Sequence, residues 1–411
     1  MLDAFSSLLL ALSTTATTQP PPQQHQAAQP GAPQNIVVVG DRIADLRRRL
    51  TECLARHCPP NEDVDATTAL AEVLFVSGDY RGARTALLGS IGRNRREAAR
   101  YPEPVSELYR ANALVARHLG FDQDARLSTW EILHSLQRGI PVEDARHFTA
   151  RLEVVESLIA FGEYYQAREQ LRELARRARA AGRDDVVAAT ELRGLWLEYL
   201  QAPEDNTIVR RLTELSSSGD GHRAVPARLL LIRIYNQRGQ TAQADALIAQ
   251  LRGREGARRQ LLFAPEYELA QHDEGVGEAS SQSSMQQQLV AGTRPQLVDN
   301  LSDRLTDVYD QLIDVGFRIR ADGTVADVQV VNNHGARGWE SPLLESIAGR
   351  RYAIARDGSE TYRVERYSYT AERRTEGLTG THIGNRSPRG RVEFRELSET
   401  NVPAAVPSGS S

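Results

Sequence analysis

Lysine is missing from this 411-residue chain, and all 50 of its basic residues are arginine. Without an amine-bearing side chain, three chemistries are excluded. A P-loop has no lysine to reach its phosphates, a protein kinase has none on its strand, and a Schiff-base enzyme has no nucleophile. Long apolar runs are also missing: no stretch approaches the roughly 20 residues that a membrane-spanning helix needs. Excess charge is small, at −4, so the chain carries no general attraction for nucleic acid or anionic membrane. H-E-x-x-H, G-x-S-x-G, the dinucleotide-binding glycine fingerprint and C-x-x-C are all absent. The paired carboxylates Asp184 and Asp185 sit at a helix start, where capping accounts for them.

Cysteine occurs only twice, as Cys53 and Cys58 in "ECLARHCPP". In an unbroken helix the two would stand about 8 Å apart, beyond disulfide reach. Pro59 and Pro60 disfavour helix there, so the chain is expected to turn back and allow a bridge in an oxidising compartment. A metal site built from Cys53, His57 and Cys58 lacks the usual ligand spacings.

What is present is organised along the chain. Residues 1–16 read as a short export signal, although a basic start is lacking, and 17–35 read as a Pro/Gln-rich linker. The expected location is therefore periplasmic or otherwise exported. From 36 to 271 the apolar period is helical. "LAEVLFVSGDYRGARTALLGSI" places Gly78 and Ala83 between two amphipathic helices; Gly120 with Ala125 and Gly162 with Ala167 repeat the arrangement at intervals of 42 residues. A fourth copy has Gly239 and Ala244, with Thr241 at the position that Tyr80 and Tyr164 hold in the first and third copies. Glycine ends one helix in a left-handed cap, and the alanine five residues on lets the next helix come close.

These segments resemble tetratricopeptide repeats, whose motif carries a Gly, an aromatic two residues on and an Ala five residues on. The resemblance implies stacked helix pairs that hold protein partners. The spacing departs from that family's 34, and position 204 carries no repeat glycine. Arginine-rich faces such as "ELARRARAAGR" read as solvated helix surface.

A Ser/Gln/Gly-rich linker over 272–295 follows, then an expected amphipathic helix through Leu297, Leu301, Leu305, Val308 and Leu312. "DVGFRIRADGTVADVQVV" reads as a β-hairpin turning at Asp322 and Gly323. A helix is expected next, with Ser341 as N-cap, Leu344, Ile347 and Ala348 inward and Gly349 as its stop. A third strand then covers 362–370, with a bulge between Val364 and Tyr367. This order resembles the C-terminal domain of the energy transducer TonB, through the hairpin 315–330 and "GRRYAIARDG". Ile354 or Ala355 stands where that family usually has Pro, and its opening Tyr-Pro pair is absent. The resemblance implies a periplasmic module over 296–398 whose edge strand, with Tyr362, Val364, Tyr367 and Tyr369, pairs with extended peptides of outer-membrane receptors. "RVEFREL", 391–397, is the chain's own candidate to occupy that edge, and 399–411 reads as a disordered tail. "NIVVVGDR", 35–42, resembles a TonB-box peptide, or is an ordinary β segment.

The expected fold class is thus multidomain: an all-α, TPR-like helical-repeat solenoid followed by a small α+β TonB C-terminal-like domain. The expected function is a non-enzymatic scaffold that binds protein or peptide, without cofactor, metal or nucleic acid. The competing class is an exported hydrolase whose active-site groups converge from distant positions.

Overall fold

In the computed structural model, residues 35–251, 261–267, 311–336, 338–354, 358–374 and 385–402 are described. The expected signal, residues 17–34 of the first linker, the 272–295 linker, Leu297, Leu301, Leu305 and Val308 lie outside them, as does the tail beyond 402. The described residues form two compact units. One holds helix pairs from 35–117 and 123–247, and the other holds 118–122 and the sheet-forming residues from 248 onward.

The helical unit begins with α1 (Asn35–Ala55), so "NIVVVGDR" is helical rather than extended. Ala55 is the last residue of α1. His57 takes a left-handed φ of 54°, and the Cys58 amide donates to the Cys53 carbonyl at 3.1 Å. This reversal brings the two cysteines to a Cα–Cα distance of 5.2 Å, and they form the disulfide. Closing so short a loop restricts the unfolded chain by an amount worth about 2 kcal/mol. The helix ends before the prolines, and it is the left-handed residue that turns the chain.

Helix pairs follow: α2 (Pro60–Val76) with α3 (Tyr80–Asn94), α4 (Pro102–His118) with α5 (Asp122–Gly139), and α6 (Ala145–Ala160) with α7 (Tyr164–Ala180). Two more are α8 (Asp184–Gln201) with α9 (Asn206–Ser217), and α10 (Gly221–Gln237) with α11 (Thr241–Leu251). Gly78, Gly120, Gly162 and Gly239 stand in the turns inside four of these pairs, all with left-handed φ between 70° and 89°. At Gly162 the closure is a double one. Its amide donates to the Ile159 carbonyl and the Glu163 amide to the Leu158 carbonyl, which satisfies two carbonyls the helix end leaves free. Ala83, Ala125, Ala167 and Ala244 are all buried to 1% exposure or less. No atom larger than a methyl fits where the second helix crosses the first.

The α8–α9 pair has no such glycine. Its connection runs through Ala202 to Asp205, whose carboxylate accepts from the Thr207 amide and caps α9. The end of α8 is closed instead by Ala202, at a φ of −142°, whose amide donates to the Glu198 and Tyr199 carbonyls; this helix stops without a left-handed residue, and the glycine spacing skips the pair. Apolar side chains join successive pairs: Ile132, Leu136, Val155, Leu158, Ala167 and Leu197 form one cluster. Leu195, Trp196, Leu212, Leu230 and Ile234 form the next.

The second unit contains a four-stranded antiparallel sheet in the order β3-β2-β5-β6, where β2 is Gln311–Ile319, β3 Val325–His334, β5 Glu360–Arg374 and β6 Asn385–Val402. A short pair, β1 (Leu261–Phe263) with β4 (Arg351–Tyr352), lies beside it, and α12 (Glu340–Ala348) follows β3. Leu312 and Ile313 belong to β2, so the expected amphipathic helix does not reach them. The hairpin turns as expected at Gly323 (φ 82°), whose amide donates to the Arg320 carbonyl while the Arg320 amide donates to the Thr324 carbonyl. α12 starts one residue earlier than Ser341, which caps nothing; Leu343, Ser346 and Ile347 are buried and Leu344 packs against the core as expected, while Ala348 is exposed. The expected bulge appears as a register shift at Val364/Glu365.

Ile313, Val315, Phe317 and Ile319 on β2, Tyr367 and Tyr369 on β5, and Leu343 and Ile347 on α12 form one core. Leu261 and Tyr267 pack on it too, and the Ser346 hydroxyl donates to the Pro265 carbonyl at 2.6 Å. Residues 261–267 therefore belong with the sheet, although they precede the 272–295 segment. At the other end β6 runs to Val402, past the expected boundary at 398.

Candidate functional site

The β5 strand is not an edge. It pairs with β2 from Gln311↔Tyr369 to Ile319↔Thr361, and on its other side with β6 from Glu360↔Val402 to Arg374↔Asn385. The backbone groups of Tyr362, Val364, Tyr367 and Tyr369 are thus engaged on both sides, which corrects their assignment as a peptide-docking row. Nor do the four share a face: Tyr367 and Tyr369 are in the core, whereas Tyr362 and Val364 are half-buried on the opposite side. The chain's own 391–397 segment occupies the β5 edge, with Val392 opposite Tyr369 and Phe394 opposite Tyr367.

The order of strands leaves β3 at one side of the sheet, with β2 as its partner among the described residues. Val330 is 37% exposed and Val331 47%. Two register shifts interrupt the β2–β3 ladder, one beside Val331 and one beside Asp327, which adopts a left-handed φ of 53°. Bulges of this kind bend an edge and shorten the run over which another strand can pair. What remains between them, 328–330, is short, with Val328 and Val330 on one face and Gln329 on the other.

Behind this strand the unit holds buried charge. Arg366 clamps Asp314 through two bonds of 2.6 and 2.7 Å, and Asn332 of β3 donates to the same carboxylate at 3.1 Å. That contact ties the exposed strand to a fixed interior pair. In the core, Arg350 donates to Glu365 at 2.7 Å and Tyr367 donates to the same carboxylate. Burial, reinforced by Glu365, pushes the Tyr352 hydroxyl up to about 12. This cluster specifies how α12 and the sheet meet.

The helical unit carries a charge ladder on the first helices of successive pairs. Arg110 of α4 pairs with Glu153 of α6 at 3.1 Å, and Glu156 of α6 with Arg193 of α8 at 2.6 Å. Arg233 of α10 lies over the Trp196 ring at 3.8 Å. Glu156 and Arg193 are almost wholly buried, and burial pushes the Glu156 carboxyl up while Arg193 and Arg233 oppose the rise. These residues lie about one repeat apart, but helical periodicity alone did not mark them as partners. Asp184 and Asp185 fall in the first turn of α8, where their charge suits the helix N-terminus, but neither caps it: the N-cap position is Arg183, with no side-chain capping bond.

Cys53, Cys58 and Glu62 approach one another closely enough to suggest a metal site, but both sulfurs are consumed in the disulfide, which leaves one carboxylate. Among the described residues no helix is long and apolar enough to cross a membrane.

Comparison with known proteins adds little beyond this geometry. No family model matches the chain, and no curated protein matches it. Among solved structures, it is similar to BtubC (BKLC) from P. vanneervenii, with 17% identity and a TM-score of 0.38 over 52% of this chain and 89% of that one. It is also similar to a Rap protein complexed with Competence and Sporulation Factor, with 13% identity and a TM-score of 0.32 over 54% of this chain and 66% of that one. The helical-repeat architecture stands on the helix pairs themselves; no match supports a TonB-like identity for the sheet.

Proposed function

We propose that this chain is a non-enzymatic, exported interaction scaffold. In this reading its helix pairs hold a protein partner and its sheet recognises an extended peptide by strand addition at β3. One observation carries the reading: β3 is an outer strand with exposed valines, held in place by the Asn332–Asp314 contact. A peptide laid along 328–330 gains main-chain hydrogen bonds, and alternate side chains supply selectivity. The disulfide supports an oxidising location, and the TonB resemblance of the hairpin supports peptide binding in the envelope. The docking strand differs from that resemblance, because β6 has taken the edge of β5.

Backbone methylation tests the mode directly. A labelled peptide of sequence NIVVVGDR should bind the full chain, and the same peptide N-methylated at alternate residues should lose at least tenfold in affinity, because each blocked amide removes a ladder bond. Val331→Asp should weaken the unmethylated peptide. Equal binding of both peptides would rule out strand addition.

A further inference from the structure

Three metal-ligand side chains meet where α1 gives way to α2. Cys53, Cys58 and Glu62 each bring one donor atom, two sulfurs and a carboxylate oxygen, to within 4.8 Å of the others. Cys53 is buried, and Cys58 and Glu62 are half-buried, so solvent reaches the group through the latter two. Sulfur bonded to sulfur offers a cation no charge. Thiolate sulfur does, and a newly made chain begins as the dithiol.

The approach of the two cysteines is supported by backbone. The Cys58 amide donates to the Cys53 carbonyl at 3.1 Å, the His57 amide to the Leu54 carbonyl at 3.1 Å, and His57 turns the chain with a φ of 54°. At the start of α2 the Asp63 amide donates to the Pro59 carbonyl at 3.1 Å, and Glu62 stands in that first turn. None of these bonds involves sulfur, so opening the disulfide leaves the two Cα atoms near their separation of 5.2 Å. A tetrahedral zinc ion, with Zn–S of about 2.3 Å and Zn–O of about 2.1 Å, sets its donors roughly 3.6 to 3.8 Å apart. Rotation of the two cysteine side chains takes the sulfurs from a bond to that spacing over the same backbone. Glu62 pairs with Arg56, but those side chains are 41% and 63% exposed, and an ion pair so exposed contributes little that a divalent ion must overcome.

We propose that Cys53, Cys58 and Glu62 form a zinc site in the dithiol state of the chain, with the disulfide as the alternative, metal-free state. The exchange balances. A small dithiol gives two electrons and two protons to the Cys53–Cys58 bond and becomes a cyclic disulfide, while both cysteines become thiols. Zinc then displaces the two thiol protons, the Glu62 carboxylate adds as third ligand, and water takes the fourth position. Two thiolates select zinc over magnesium and calcium, which are held by oxygen. His57, the imidazole nearest in sequence, does not join the group. This inference does not rest on strand addition at β3.

Reduction of the full chain with a phosphine under nitrogen, removal of the phosphine, and zinc titration against a chelating dye test it. The reduced chain should bind one zinc and the disulfide form none. Cadmium should give the reduced chain a thiolate-to-metal charge-transfer band in the ultraviolet. Glu62→Gln should weaken zinc by at least about tenfold, since even a group that only orients a ligand is worth that much. Arg56→Gln frees the carboxylate and should bind zinc at least as tightly as the native chain. Circular dichroism of each reduced chain, before and after zinc, establishes that it is folded. No zinc binding by the reduced chain, equal binding by the disulfide form, a cadmium complex without the band, or undiminished binding by Glu62→Gln would each overturn the proposal. So would a chain that unfolds on reduction and is not restored by zinc. The first of these outcomes is the one expected of a purely structural bridge.

Discussion

Asp63 shows how a single residue sets a pH dependence. It is 3% exposed in α2, and its carboxylate accepts two bonds from Arg93 at 2.7 and 2.8 Å and others from Asn94 and Thr67. Burial by itself would raise this carboxyl, but Arg93, Asn94 and Thr67 outweigh it and hold it below the usual carboxylate range. A depressed folded-state value means the stabilisation is complete above the unfolded value and is lost as the pH falls through the folded one. Asp63→Asn should therefore cost about 2 kcal/mol at neutral pH, and the gap from the native chain should close below about pH 3.9. Urea unfolding of both proteins at pH 7, 5 and 3 checks this; a gap that stays constant with pH would assign the stabilisation to packing instead.

At the scale of the element, the repeat turns separate two physical causes that the motif runs together. Gly162 has a φ of 73° and open space where a Cβ would stand. Gly162→Ala should thus cost only the left-handed backbone penalty, about 1 kcal/mol. Ala167 is 0% exposed between α6 and α7, so Ala167→Leu forces the helices apart and should cost about 3 kcal/mol or more. Thermal unfolding of the two variants side by side measures both quantities. An alanine at 162 that destabilises as strongly as a leucine at 167 would show that the turn is also a packing site. The α8–α9 pair differs, because Ala202, at a φ of −142°, ends the first helix without a left-handed residue.

The whole molecule joins pieces that are distant in sequence. Leu261 pairs with Tyr352, and Phe263 with Arg351, across the 272–295 segment. Leu262 is 3% exposed, so the sheet unit loses a buried apolar side chain and a strand partner for β4 if the chain is started after that segment. A fragment covering 256–402 should therefore resist urea better than one covering 296–402, by about 2 to 3 kcal/mol for a buried leucine and its neighbours. Equal midpoints would show that 261–267 adds nothing to the sheet.

Local patterns were sufficient where the physics is local. The glycines at 78, 120, 162 and 239 and their partner alanines marked four helix pairs, because a left-handed cap and a close crossing each demand one residue type. Alternation and Asp322-Gly323 marked the hairpin, and two prolines after Cys58 marked a chain reversal and so a bridge. Strand order was not legible in this way. Whether β5 is an edge depends on where β6 pairs, and a strand of alternating residues carries no sign of which neighbour it will have. Nor could the run "NIVVVGDR" declare itself helical, since β-branched residues favour strands and only continuity with α1 overrides that preference. Partners such as Glu156 and Arg193 meet because helices cross at particular points. The sequence determined which segments become helices and turns, and tertiary packing decided which buried charges became partners and which strand took each edge of the sheet.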